Sequence, residues 1–235
     1  MPLTQTRPPL ALYAAGLLII GMALAGPIVQ PANYHHFADA RALFGIPNAA
    51  DVLSNIGFLL AGVYGLALMW RARLRNAGFA LFCVSLLLTA FGSSWYHLAP
   101  DDARLVWDRL PIALACAGLL GAVVQQAYPR VTLVAPLAIF GALSVFWWAR
   151  TGDLRPYLLL QLAPLVLIPL LQWQSGASVG QRRAFGVAIF LYVLAKVFEL
   201  GDLESFKALG ILSGHTVKHI LAALAAVLIV RNRAR

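Results

Sequence analysis

The sequence predicts an all-α, polytopic transmembrane helical bundle, and three observations carry that prediction. Hydrophobic residues make up 61% of the 235, and charged residues only 11%. A soluble domain carries about 25% charged residues, so this chain lacks the polar shell that water requires. The mean hydropathy is +0.79. The apolar residues gather into stretches of about 20, the length that spans a bilayer core. In lipid each stretch is expected to be helical, because backbone groups there have no water to bond. The length leaves no room for a large separate soluble domain.

Eight segments can be drawn, at 10–29, 51–70, 77–97, 105–127, 131–149, 156–173, 184–200 and 209–230. The first is preceded by Arg7 and ends in Ala23-Leu24-Ala25 before Gly26. That reads either as a signal peptide with an A-x-A site or as an uncleaved span; its length favours retention. Residues 1–30 are therefore set apart as an extra N-terminal segment, and 31–235 as a seven-helix domain. The second segment opens with Asp51, Ser54 and Asn55, polar residues suited to capping or to bonds with neighbouring spans. The third holds Ser93 and Ser94 and ends at His97; the fourth holds Asp108 and Pro111. Pro164 and Pro169 fall in the sixth, and Pro111, Pro164 and Pro169 are expected to kink their helices. In the seventh, Lys196 and Glu199 are three residues apart and can pair on one face. Asp202 follows, placed with Glu199 to line a headgroup pocket. The eighth carries His215 and His219 in the run H-T-V-K-H. Lys218 precedes His219 and is expected to point away from it, snorkelling outward. Trp95, Tyr96, Trp107, Trp147 and Trp148 suit an aromatic belt at one interface. Cys83 and Cys116 lie inside apolar segments and read as small buried hydrophobes, not as a metal or disulfide motif.

The formal charge of +9 is an orientation signal here rather than a sign of nucleic acid. With the N-terminus inside, the inner loops hold Arg7, Arg71, Arg73, Arg75, Arg130, Arg182, Arg183, Arg231, Arg233 and Arg235. The outer loops hold only Arg41, Arg104, Arg150, Arg155 and Lys207. Both termini are thus expected in the cytoplasm. The same count places the end of segment three and the starts of segments four and eight on the outer side. It used none of the histidines, yet it brings His97, Asp108, His215 and His219 to one depth.

Polar residues inside a membrane are expensive, which makes such a cluster a candidate functional site. His215 and His219 are four apart, so a helix presents both on one face. Three imidazoles plus water is a common catalytic zinc arrangement. Zinc acidifies water and polarises carbonyls. Asp108 can orient that water or take its proton, and Ser93, one turn before His97, can hydrogen-bond it or a developing oxyanion. A single histidine at a span end is ordinarily interfacial, and H-x-x-x-H alone arises by chance. The convergence of three histidines, an acid and a serine is what favours a metal site. Ser94 points away from the face of His97, and His35 and His36 read as loop histidines.

The pattern S-x-x-x-H (Ser93 to His97), Asp108 eleven residues on, then H-x-x-x-H (His215, His219) resembles the alkaline ceramidases. Their superfamily of membrane hydrolases also includes the progestin and adiponectin receptors. D-V-L-S-N at 51–55 resembles the family's W-N-T-x-S-N stretch, and Asn33-Tyr34 its N-terminal N-Y. The resemblance spans roughly 33–230 and is carried by short motifs. It implies seven helices around a zinc held by His97, His215 and His219. It also implies catalytic roles for Ser93 and Asp108 and hydrolysis of the ceramide amide. Two departures stand out. The first segment is additional, and no acid precedes Asn33, where the animal enzymes carry a calcium motif; the later family glutamate aligns with Asn48. Calcium is therefore not expected.

The expected function is a zinc-dependent intramembrane amidase acting on ceramide or another N-acyl lipid that enters from the bilayer. Composition and short loops point to a bacterial inner membrane. A zinc-containing receptor or lipid-binding protein is the alternative, and a bis-histidine haem carrier is a third class.

Overall fold

The computed structural model describes residues 10–233. Among them the chain is all-helical apart from loops and two isolated bridges, as composition predicts. The helices are α1 (Leu10–Leu24), α2 (Ala49–Ser54), α3 (Ile56–Arg71), α4 (Ala77–Leu98), α5 (Asp102–Ala127), α6 (Val134–Thr151), α7 (Arg155–Gln174), α8 (Val179–Leu200), α9 (Asp202–Leu209) and α10 (Gly214–Arg233). Six units are long and apolar enough to cross a membrane: α2 with α3, then α4, α5, α6, α7 and α10. Helices α8 and α9 form a seventh if counted together, although they bend by 88° at their break. Helix α1, at 15 residues, is about 22 Å long and shorter than a bilayer core. Arg7 and Arg235, which entered the orientation count, lie outside the described residues.

Local chemistry sets several boundaries. Asn76 caps α4 by accepting from the Phe79 N–H at 2.8 Å, and Asp101 caps α5 by accepting from the Arg104 N–H at 2.7 Å. The segment expected at 209–230 is divided differently. Gly210 adopts φ +72° and closes α9, so the last helix starts only at Gly214. Pro111, Pro164 and Pro169 fall within α5 and α7, which run through them as helix.

With lipid no worse a solvent than leucine, close backbone approach holds such bundles together. Helices α4 and α5 meet through glycines. A Cβ on Gly78 would sit 2.6 Å from the Gly118 carbonyl oxygen, and one on Gly92 would sit 2.0 Å from that of Trp107. Phe79, Phe82, Leu86, Leu120, Val123, Phe185 and Ile229 belong to one buried cluster. Tyr96, Leu105, Trp148, Tyr157 and Leu160 form a second, around the ends of α4 and α6 and the starts of α5 and α7. The belt expectation is corrected here. Trp95, Trp107 and Trp147 are exposed, but Tyr96 and Trp148 are buried. Neighbours on a helix point about 100° apart, and in each of Trp95-Tyr96 and Trp147-Trp148 the first residue faces outward while the second turns into the bundle.

The segment between α1 and α2 crosses this same end of the bundle. The Ile28 N–H donates to the Asp153 carboxylate, and the Leu154 N–H donates to the Ile28 carbonyl at 2.8 Å. Further on, the Ala38 N–H donates to the Asp202 carboxylate at 2.8 Å.

Candidate metal centre

His97 lies in the last turn of α4, and His215 and His219 lie in the first two turns of α10. All three are buried, and their ligand atoms lie within 4.8 Å of one another. The ring centroids are 4.8, 5.1 and 4.9 Å apart. Nε2 of His97 is 3.2 Å from Nε2 of His215. Zinc–nitrogen bonds of 2.0–2.1 Å at a tetrahedral angle put ligand nitrogens about 3.3 Å apart, so this spacing fits one edge of a zinc site. Three neutral nitrogen donors in a buried pocket can hold a metal ion.

The elements reach this geometry for identifiable reasons. Gly214 lets α10 begin against α8: a Cβ there would lie 2.0 Å from the Phe198 carbonyl oxygen. The Asp202 carboxylate then accepts from the His215 N–H at 2.7 Å, tying the start of α10 to the segment that carries Ala38. The Asn48 side chain donates to the His97 carbonyl oxygen at 2.8 Å. Asn48 sits in left-handed backbone (φ 47°), which asparagine tolerates better than most residues. Phe37 packs on His97 and His215, with centroids 4.6 and 4.5 Å away.

Outer partners orient one ring. The Ser54 hydroxyl donates to the Asp51 carbonyl oxygen at 2.9 Å, so it must accept from His219 Nδ1–H at 2.8 Å. That assigns the proton to Nδ1 and leaves the Nε2 lone pair of His219 available, the usual outer-shell arrangement for a metal-binding histidine. Asp51, fully buried, accepts from Thr216 at 2.6 Å and so fastens α2 to α10. Nδ1 of His97 is buried without a partner.

Ser93, next to Gly92, and Asp108, next to Trp107, flank the close contact of α4 and α5, and both line a cavity of about 920 Å³ together with His215 and His219. That volume falls within the roughly 300–1,000 Å³ of small-molecule sites. The cavity continues past Phe82, Leu119, Ile168, Phe185 and Ile229, an apolar depth suited to hydrocarbon. Ser94 instead donates to the Val52 carbonyl oxygen at 3.2 Å, a packing bond between α4 and α2. His35 bonds the Tyr96 hydroxyl at 3.0 Å and Asp102 at 3.1 Å, outside the triad.

One expectation is overturned. Lys218 does not point away from the histidines. Its Nζ lies 2.9 Å from His215 Nε2 and 3.0 Å from Glu199, which also takes Lys196 at 2.6 Å. Residues 215 and 218 are three apart and therefore neighbours on a helix; adjacency to His219 was the wrong relation to weigh. The ammonium donates to the lone pair a metal would use, so metal binding requires Lys218 to retreat onto Glu199. Asp202, expected to line a pocket, does so and also anchors His215. Phe37 and Arg109 were not recognised in the sequence at all. Beside the site, the Arg41 guanidinium holds the Asp39 carboxyl below the usual carboxylate range. The Arg155 guanidinium does the same for Asp153.

No protein-family model matches the sequence, and no curated protein matches it either. The likeness to alkaline ceramidases therefore rests on the motif residues alone.

Proposed function

We propose that the protein is a zinc-dependent intramembrane hydrolase that cleaves the amide of an N-acyl lipid, ceramide or a relative of it. The observation that carries the reading is the buried His97–His215–His219 triad, of which His215 and His219 line the same cavity as Ser93 and Asp108. When bound, zinc would supply a Lewis acid that polarises the amide carbonyl and acidifies water. The rest falls to the chain. Asp108 takes a proton from the attacking water and returns it to the departing amine, which completes hydrolysis to an acid and a free amine. The Ser93 hydroxyl steadies the carboxylate or the oxyanion. Phe37 covers the triad, and the apolar depth of the cavity receives the acyl chain.

The site sits near the outer face in this reading, with both termini cytoplasmic and the chain in a bacterial inner membrane. Helix α1 would provide an eighth span. A cysteine at Asp101 should react with an impermeant thiol reagent in intact cells and one at Arg73 should not; the reverse pattern would overturn the orientation.

Lys218 on His215 favours a second reading, a lipid-binding or receptor protein with no strong hydrolase activity. A bis-histidine haem carrier fits poorly, because three imidazoles in mutual contact leave no slot for a porphyrin between them. Metal analysis tests the ligand assignment, and a hydrolysis assay on the zinc-loaded protein separates the first two. Purified protein should hold about one zinc per chain, and His97→Ala, His215→Ala or His219→Ala should each remove most of it. Full zinc in the triple variant would sink the ligand assignment, and a zinc-loaded protein that leaves N-acyl lipids intact would favour the receptor reading.

A further inference from the structure

Several charges at the site end of the bundle are paired, but Asp51, Asp108 and Arg109 are buried and enter no ion pair among the described residues. Asp39 is held by Arg41, Asp153 by Arg155, and Glu199 by both Lys196 and Lys218. Arg109, 3% exposed and next in sequence to Asp108, takes part in no ion pair among the described residues. Its guanidinium lies 3.8 Å from the Trp148 ring centroid, 5.2 Å from that of Tyr34 and 5.4 Å from that of Tyr157. Only Nη2 has an acceptor, the Gln30 side-chain oxygen at 2.6 Å. Nε and Nη1 are buried with no partner. Ring faces attract a cation, but they do not satisfy N–H donors that lie in the guanidinium plane. A buried charged donor without an acceptor is among the most unfavourable groups a fold can hold, so one retained in a cavity wall calls for a ligand. Arg109 lines the same cavity as Asp108, His215 and His219.

We propose that Arg109 binds an anionic group on the amine side of the scissile amide, so that the substrate is an acidic N-acyl lipid. The proposal rests on the amide-hydrolase reading for the word substrate, though not for the binding itself. A planar guanidinium with free donors matches a carboxylate or a phosphate, and water exclusion strengthens the pairing. The apolar depth of the cavity takes the acyl chain, so the anion belongs at the polar end. Arg109 and Asp108 line one cavity, so a single ligand can reach both. An N-acyl amino acid places a carboxylate there; an N-acyl ethanolamine phosphate places a phosphate there. Neutral ceramide leaves the arginine unpaired.

The test is equilibrium binding to the full-length, detergent-solubilised protein, in an Asp108→Asn background that prevents turnover. The probes are N-palmitoylglycine, N-palmitoylethanolamine and the phosphate ester of the latter. At least one anionic probe should bind about 10- to 100-fold more tightly than the neutral one, and the tighter of the two identifies the anion. Arg109→Met should erase that advantage and Arg109→Lys should keep part of it. Because Arg109→Met removes an unsatisfied buried cation, its ligand-free melting temperature should not fall. Equal affinity for neutral and anionic probes overturns the proposal, as does an advantage that survives Arg109→Met. So does a lower melting point with the preference unchanged, which marks Arg109 as a structural clamp. Hydrolysis is scored separately on the parent protein: anion preference without turnover would end the hydrolase reading and leave this one standing.

Discussion

At Gly92, α4 approaches α5 so closely that an added Cβ would lie 2.0 Å from the Trp107 carbonyl oxygen. At Gly16 on α1 and Gly186 on α8, the same added atom meets nothing within 4 Å. The two situations mark two regions. Where α4, α5 and α10 converge, backbones touch, polar side chains are buried and every shift moves a site residue. Along α1 and the outward face of α8, large apolar side chains such as Leu17, Ile19, Phe190 and Val193 are exposed, and lipid is the natural neighbour. Both regions are apolar in sequence, α1 more so than α5 or α10. What separates them is the polar residues: Ser93, His97, Asp108 and the histidines of α10 sit only in the first.

That contrast can be broken or sharpened by substitution. The largest effect is expected from Asp108→Asn, which alters chemistry in the tight region with little change of shape. Zinc should stay bound while turnover falls about 10²- to 10⁴-fold, the usual range for a general acid–base group. A folded, zinc-loaded variant with undiminished kcat would remove Asp108 from the mechanism. Gly92→Ala comes next. The helices must separate to admit the methyl group, and overpacking of this kind costs typically about 1–3 kcal/mol. Chemical denaturation in detergent should show that loss, together with lower turnover, since Ser93 and Asp108 flank the contact.

A smaller effect concerns acid. Arg41 lowers the Asp39 pKa below its ordinary value of about 3.9. A depressed carboxylate stabilises the folded state above that ordinary value, and the contribution is lost as pH falls through the folded pKa. Melting temperature should therefore decline below about pH 4. Asp39→Asn should melt lower than the parent near neutrality and converge with it in acid; a constant gap at all pH values would argue against the pairing. The smallest effect is expected from Gly186→Ala. In open space on a helix, alanine should leave activity unchanged and stabilise by up to about 1 kcal/mol. A marked loss there would show that the outward face of α8 packs against something other than lipid.

Much of the arrangement was legible in the chain. Helix identity followed from apolar runs, because the bilayer permits little else. The convergence of His97, His215, His219 and Asp108 at one end followed from loop charge and segment parity. Lys218 was misjudged because only its neighbour was weighed, not the residue three back. Arg109 escaped notice because an arginine in an apolar segment carries no periodic signal, and its aromatic enclosure is built from Tyr34, Trp148 and Tyr157, far apart in sequence. Tyr96 and Trp148 were assigned to an interface for the same reason: composition names an aromatic residue but not the side of the helix it faces.

By itself the sequence determined the all-helical class, most of the apolar segments and the grouping of His97, His215 and His219. Those depend on local quantities: hydropathy over about 20 residues, and spacing of three or four along a helix. Only the tertiary structure decided that α8 and α9 part by 88°, that Ser54 orients His219, that Lys218 sits on His215, and that Arg109 has no anion. Each of these depends on which faces of distant helices meet. In a chain this uniformly apolar, hydrophobicity does not choose the faces; backbone contact at residues such as Gly92 and Gly214 and the pairing of buried polar groups do.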